Sequence, residues 1–137
     1  MILMNINFVI ASENPKELSG FYAKINSDKA KKGFNSTHYF ISLSNRSKIH
    51  FYLPNENYEW ERGGNITSLC FQREPAADPV KIIENWIYEI SKIGGSVMGK
   101  SKLAKFGAEQ WMIDPEGNQF LILVPYVSQG AEMDALR

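Results

Sequence analysis

The sequence predicts an α+β fold made of two βαβββ units, and three observations carry that expectation. Two helices open alike, at Asn14-Pro15 and Asp78-Pro79, and each is followed by an amphipathic run. Segments rich in β-forming residues surround the helices in a repeated order. The stretch Asp114-Pro115-Glu116-Gly117-Asn118 separates two apolar, extended runs, which marks a hairpin with a five-residue loop.

The elements follow from local chemistry. Residues 5 to 11 are β-forming, and Asn14, Pro15 and Glu17 then supply an N-cap, a proline at N1 and an acidic residue at N3. Leu18, Phe21, Tyr22 and Ile25 fall on one helical stripe. Ser27 to Ser36 reads as a loop with room for a short strand, and the lysines Lys29, Lys31 and Lys32 read as its solvated charges rather than as a phosphate site. His38 to Leu43 and Lys48 to Leu53 flank the turn Ser44-Asn45-Arg46-Ser47 as a hairpin. Pro54 to Gly64 is polar and reads as a linker.

The order then repeats from Ile66 to Phe71. The second helix turns Ile82, Ile83, Trp86, Ile87, Ile90 and Ile93 inward, and Gly94-Gly95 stop it. Residues 96 to 103 are a weak strand, and the hairpin around Asp114 closes the unit. The units span about residues 3–54 and 65–126 of one domain, 1–126, and 127–137 form a polar tail expected to fray or to clasp a partner. The caps Asn14 and Asp78 are three residues further apart than the strand positions Asn7 and Ser68, which places an insertion at Arg73 to Ala77. Each unit has a sheet with one apolar face that needs covering.

In the closing turn Pro115 presets its own φ, Gly117 and Asn118 tolerate positive φ, and Asp114 can accept from backbone N–H groups ahead of it. Asp114 to Leu121 resembles the Asp-Pro-Asp-Gly-Asn-x-(Ile/Leu)-Glu signature that closes modules of the vicinal oxygen chelate superfamily. That superfamily holds glyoxalase I, extradiol dioxygenases and bleomycin-resistance proteins. Ile6 to Ala11 followed by Asn14 to Tyr22, with its Phe-Tyr pair, is similar to the family's first strand and helix, and Thr67 to Phe71 to the strand opening its second module. The match runs over about residues 5 to 125. It implies two modules pairing into a cupped, barrel-like mixed sheet around a pocket, within one chain or across a homodimer.

In metal-using members of the resembled family, His, Gln or Glu on first strands and Glu on last strands ligate the metal. By motif, those places fall on Asn7, Ser68 and Leu121. Setting Phe51-Tyr52-Leu53-Pro54 against Ile122-Leu123-Val124-Pro125 puts His50 opposite Leu121. An amide, a hydroxyl and a hydrocarbon replace the usual donors, so no metal and no other cofactor is expected. His50 is the candidate catalytic residue, as a general base or a substrate contact, set against the plainer reading of a strand histidine facing solvent or hydrogen-bonded within a polar pocket. Tyr52 shares its face by parity, and Asn7 lies across the sheet. Trp111, rather than Gln110, is taken as facing the pocket, and Trp60 as covering its mouth or a dimer seam. The candidate ligand-binding set is thus Asn7, His50, Tyr52, Trp60, Ser68, Trp111 and Leu121.

Pairing Leu43 with Lys48 across the first hairpin sends His38 and His50 to opposite faces. Cys70, the single cysteine, reads as a small buried hydrophobe. Asn35, Asn45 and Asn65 begin Asn-x-Ser/Thr triplets and read as loop residues.

Fifteen basic and fifteen acidic residues cancel, so the chain offers no electrostatic ground for nucleic acid or an anionic membrane as partner. With 44% hydrophobic and 22% charged residues among 137, and no membrane-length apolar run, a cytoplasmic protein is expected. The leading functional expectation is a metal-independent protein that sequesters a small aromatic or heterocyclic ligand. An atypical metal-dependent lyase, isomerase or dioxygenase, and a protein-interaction module, are the alternatives.

Overall fold

The computed structural model describes residues 6–33, 35–54, 68–104 and 106–127. The chain divides into two compact units, Met1–Gly64 and Asn65–Arg137. Trp60, Asn65 and the tail from residue 128 lie outside the described residues.

The first unit holds β1 (Phe8–Ala11), α1 (Pro15–Ile25), β2 (Lys31–Lys32), β3 (Tyr39–Ser42) and β4 (Lys48–Tyr52). Its sheet has the order β1-β4-β3-β2, with β1 parallel to β4 and the other pairs antiparallel. Asn14 Oδ1 accepts from Glu17 N at 3.3 Å, which forms the expected N-cap, and Asn14 Nδ2 donates to Glu17 Oε2 at 3.0 Å. The stripe Leu18, Phe21 and Tyr22 is buried, and Tyr22 stacks on Phe51 with centroids 5.7 Å apart. Ile41, Ile49 and Phe51 line the same covered face of the sheet. Burying side chains of this size contributes about 1.5–3 kcal/mol each.

The second unit holds β5 (Leu69–Gln72), α2 (Pro79–Lys92), β6 (Ser96–Val97), β7 (Lys102–Ala104), β8 (Gly107–Ile113) and β9 (Gln119–Pro125). Its sheet runs β5-β9-β8-β6, and β7 also pairs with β8. The weak strand expected over 96 to 103 is therefore two short ones, each antiparallel to β8. Asp78 caps α2, and Ile83, Trp86 and Ile90 face a sheet surface made of Ala108, Met112, Phe120, Ile122 and Val124. Trp86 is core, as its spacing predicts, with the Arg73 guanidinium 4.2 Å from its ring centroid.

The α+β architecture of two mixed sheets and two helices is as expected, and among the described residues each unit contributes one sheet. The loop after β5 is longer than that after β1 and carries a bridge from Ala76 to Tyr126.

Both closing hairpins use a five-residue loop, 43–47 and 114–118. In the second, Asp114 Oδ1 accepts from Glu116 N at 2.8 Å and Asn118 N at 2.9 Å, and Oδ2 accepts from Asn118 Nδ2 at 2.8 Å. Gly117 sits at φ 89°, and Arg46 occupies the matching place in the first loop at φ 71°. The four-residue turn expected at Ser44–Ser47 is one residue too short. Leu43 N donates to Ser47 O inside the loop, and the first ladder pair is Ser42 with Lys48.

Asp114 is 3% exposed and its carboxylate closes the loop, so Asp114→Ala is expected to cost about 3 kcal/mol in chemical denaturation. Arg46→Gly relieves a left-handed backbone and is expected to raise stability by about 0.5–1 kcal/mol, read from the shift in denaturation midpoint.

Candidate functional site

Strand alternation gives each sheet one face packed under its own helix and one that the helix leaves uncovered. In the first unit the uncovered face carries Asn7, Val9 and Ala11 from the β1 segment, Lys48, His50 and Tyr52 from β4, and Phe40 and Ser42 from β3. One cross-strand row runs Val9, His50, Phe40, Lys31. Asn7, His50 and Tyr52 are thus brought to one face, as the sequence predicts. Asn7 is partly occupied, since its Oδ1 accepts from the backbone N–H of Lys48 at 2.9 Å.

The two histidines are not on opposite faces. Ser42 opposite Lys48 sets Phe40 opposite His50, so His38, two residues before Phe40, comes to the same face on the diagonal. His38 Nε2 and His50 Nδ1 are 2.9 Å apart and share one hydrogen bond, with the rings 5.1 Å between centroids. Phe40 flanks His50 with its centroid at 5.8 Å, and Lys48 Nζ lies 4.9 Å from the Phe40 centroid. The backbone of Gly33 approaches the His38 ring closely enough that a Cβ there would collide with it, and Gly33 N donates to His38 O at 2.7 Å. His38 is buried and His50 half-buried. Burial first, then the neighbouring His38 and the Lys48 ammonium, hold the His50 imidazole below the ordinary histidine range.

His38 as the partner of His50 is what sequence reasoning missed. The signal was present in the alignment of Phe51–Pro54 with Ile122–Pro125. That alignment also sets Leu43–Ser47 against Asp114–Asn118, which requires a five-residue loop and hence the observed register.

In the second unit the uncovered face carries Cys70 and Gln72 from β5, Leu121 and Leu123 from β9, and Glu109 and Trp111 from β8, with Ser68 just ahead of β5 in phase with Cys70. Its central row is Cys70, Leu121, Trp111. Trp111 does stand on the uncovered face. Gln110 points the other way, and its Nε2 donates to Met98 O, Gly99 O and Trp111 O. Cys70 is a correction: it is exposed, because the half-buried Leu69 and Phe71, paired with the buried Phe120 and Ile122, take the covered face of its strand. Partial desolvation of its sulfur against the sheet, then the Glu109 carboxylate, push the thiol pKa up, so it is a poor nucleophile. Asn35 and Asn45 are loop residues whose side chains accept from Thr37 N and Ser47 N.

The pairing repeats between units, Val9 with His50 and Cys70 with Leu121, so His50 and Leu121 occupy equivalent places, as do Phe40 and Trp111. The residues do not fit the divalent metal that the resemblance implies for metal-using relatives. The Asn7 carbonyl is bonded to the backbone, Leu121 has no donor atom, and the facing nitrogens of His38 and His50 are bonded to each other. Among the described residues no three His, Cys, Asp or Glu side chains gather as a metal site. What the first face can do is donate or accept one hydrogen bond from His50 and hold one proton on the histidine pair.

Because His50 resists protonation when folded, the unfolded chain binds more protons around and below pH 6.5. Stability is expected to fall as pH drops through that window and to level off above it. In urea titrations at several pH values, His50→Gln should flatten this slope; an unchanged slope would exclude His50 as its source.

No protein-family model and no curated protein matches the sequence. Solved structures do match. A glyoxalase/bleomycin resistance protein/dioxygenase family enzyme from Burkholderia phytofirmans superposes with a TM-score of 0.70 at 17% identity, covering 87% of this chain and 96% of that one. A glyoxalase/bleomycin resistance protein from Albidiferax ferrireducens gives 0.63 at 17%, covering 86% and 95%. Oxidase ChaP-H2 gives 0.63 at 16%, covering 95% and 100%. No described helix is long and apolar enough to cross a membrane. The chain shares the fold of these glyoxalase/bleomycin resistance/dioxygenase structures.

Proposed function

We propose that this protein binds a small aromatic or heterocyclic molecule without a metal, as a cytoplasmic, homodimeric sequestering protein of the glyoxalase/bleomycin-resistance type. The observation that carries this reading is the uncovered face of the first sheet. It presents a histidine pair, an aromatic ring at Phe40, the phenol of Tyr52 and an apolar Val9 that is 66% exposed, whereas the metal positions hold an occupied amide and, in the second unit, a leucine. Burial of an aromatic ligand on such a surface, fixed by a few hydrogen bonds, is ordinary small-molecule recognition. Ser68, Trp111 and Leu121 supply a second surface of similar character.

The likeness to Oxidase ChaP-H2, together with an imidazole able to accept a proton, favours a second reading in which His50 acts as general base in an enzyme of this fold.

Thermal-shift titration of chelator-treated protein tests the metal-free binding reading. Aromatic and heterocyclic compounds are expected to raise the melting temperature in a concentration-dependent way, and divalent metals to leave it unchanged. A shift with one metal that His50→Ala abolishes would replace the binding reading with a metalloenzyme.

A further inference from the structure

The charges of this chain cancel overall, but they are not evenly distributed over the first sheet. On its uncovered face the described residues include two lysines, Lys31 and Lys48, and the two histidines, with no Asp or Glu. The acidic residues of the described part of that unit, Glu13, Glu17 and Asp28, lie on the turn before α1, on α1 itself and on the loop after it. A face with only basic side chains attracts anions.

The polar groups there are arranged for one. Of the two nitrogens of His50, Nδ1 is bonded to His38, and no other described residue hydrogen-bonds the ring. When His38 donates, His50 carries its hydrogen on Nε2 and offers it as a donor. When one proton is added, His50 donates from both nitrogens, to His38 and to a ligand, and the bond within the pair survives. Lys48 lies two residues before His50 on the same face and is near enough to act on its charge. From β3 and β2 the groups facing His50 are His38, Phe40 and Lys31, from β4 Lys48 and Tyr52, and from β1 the uncharged Asn7, Val9 and Ala11.

We infer that the uncovered face of the first sheet receives the acidic group of a small aromatic acid, with Lys48 and His50 meeting the carboxylate and Phe40, Tyr52 and Val9 meeting the ring. This rests on the small-molecule reading and narrows it to a ligand class. A bound anion offsets the two neighbours that disfavour the His50 imidazolium, so binding raises the pKa of His50 and tightens as pH falls.

The test uses probes matched in shape and differing in charge: 4-hydroxybenzoate, 4-hydroxybenzamide and 4-hydroxybenzylamine, with inorganic phosphate as the charge without the ring. Affinities come from calorimetry at millimolar ligand, and the two histidines of the chain give two ring resonances for NMR titration, assigned with His38→Asn and His50→Gln. The benzoate is expected to bind about tenfold or more tightly than the amide or amine, more weakly in added salt, and to raise the His50 midpoint. Lys48→Gln, an exposed site, should weaken the benzoate about fivefold and leave the amide unchanged. Preference for the amide or amine, or a His50 midpoint that does not rise, overturns the anion assignment and leaves small-molecule binding standing. Phosphate binding as tight as the benzoate overturns the aromatic part. Absence of binding by all four overturns both.

Discussion

The hairpin loop that closes each unit is the constraint on which the surfaces described above depend. A strand's side chains alternate between faces, so one residue more or less in a loop moves a whole strand's set to the other side. In the second unit the buried Asp114 carboxylate fixes that length by bonding Glu116 N, Asn118 N and Asn118 Nδ2. The first unit keeps the same length with weaker means: Asn45 Oδ1 accepts from Ser47 N, and Arg46 takes the left-handed position that glycine fills in the other loop. From that length follow Ser42 opposite Lys48, Phe40 opposite His50, and the two imidazoles in contact.

Once the register is set, the division of labour between faces is a consequence of packing. Tyr22 against Phe51 in one unit, and α2 on Met112, Phe120 and Ile122 in the other, use up one face of each sheet for the core. The remaining faces carry what the core cannot hold: imidazoles and lysines on the first, a tryptophan, a thiol and a carboxylate on the second. The two repeats therefore share geometry and differ in chemistry at each matched position, His50 against Leu121 most of all. The absence of a donor at Leu121 and the use of the Asn7 carbonyl by Lys48 N are physical reasons to read the fold apart from the metal chemistry of relatives.

Much of this was legible in the sequence because it is local. The Asn14 and Asp78 caps, the apolar stripes of both helices and the Asp114 turn each rest on residues within a few positions of one another, and all form as expected. The errors were non-local or a matter of one residue. Taking the first hairpin loop as four residues put His38 on the wrong face, because Arg46 gives no sign of a left-handed backbone in the way that Gly117 does. Residue type and an apolar strand suggest a buried Cys70, whereas the parity of that strand decides that it is exposed. The bond from Lys48 N to Asn7 spans 41 positions and has no local signature. The two sheets were legible as a repeat, one to each unit.

The measurement that tests the central claim most directly is nitrogen-15 NMR of the imidazole rings, read for scalar coupling across the hydrogen bond between His38 and His50. The register described here predicts coupling between Nε2 of His38 and Nδ1 of His50 at a pH where the pair holds a single shared hydrogen, lost in His38→Asn. Two rings without coupling or mutual contact, unaffected by each other's replacement, would place them on opposite faces and contradict the account.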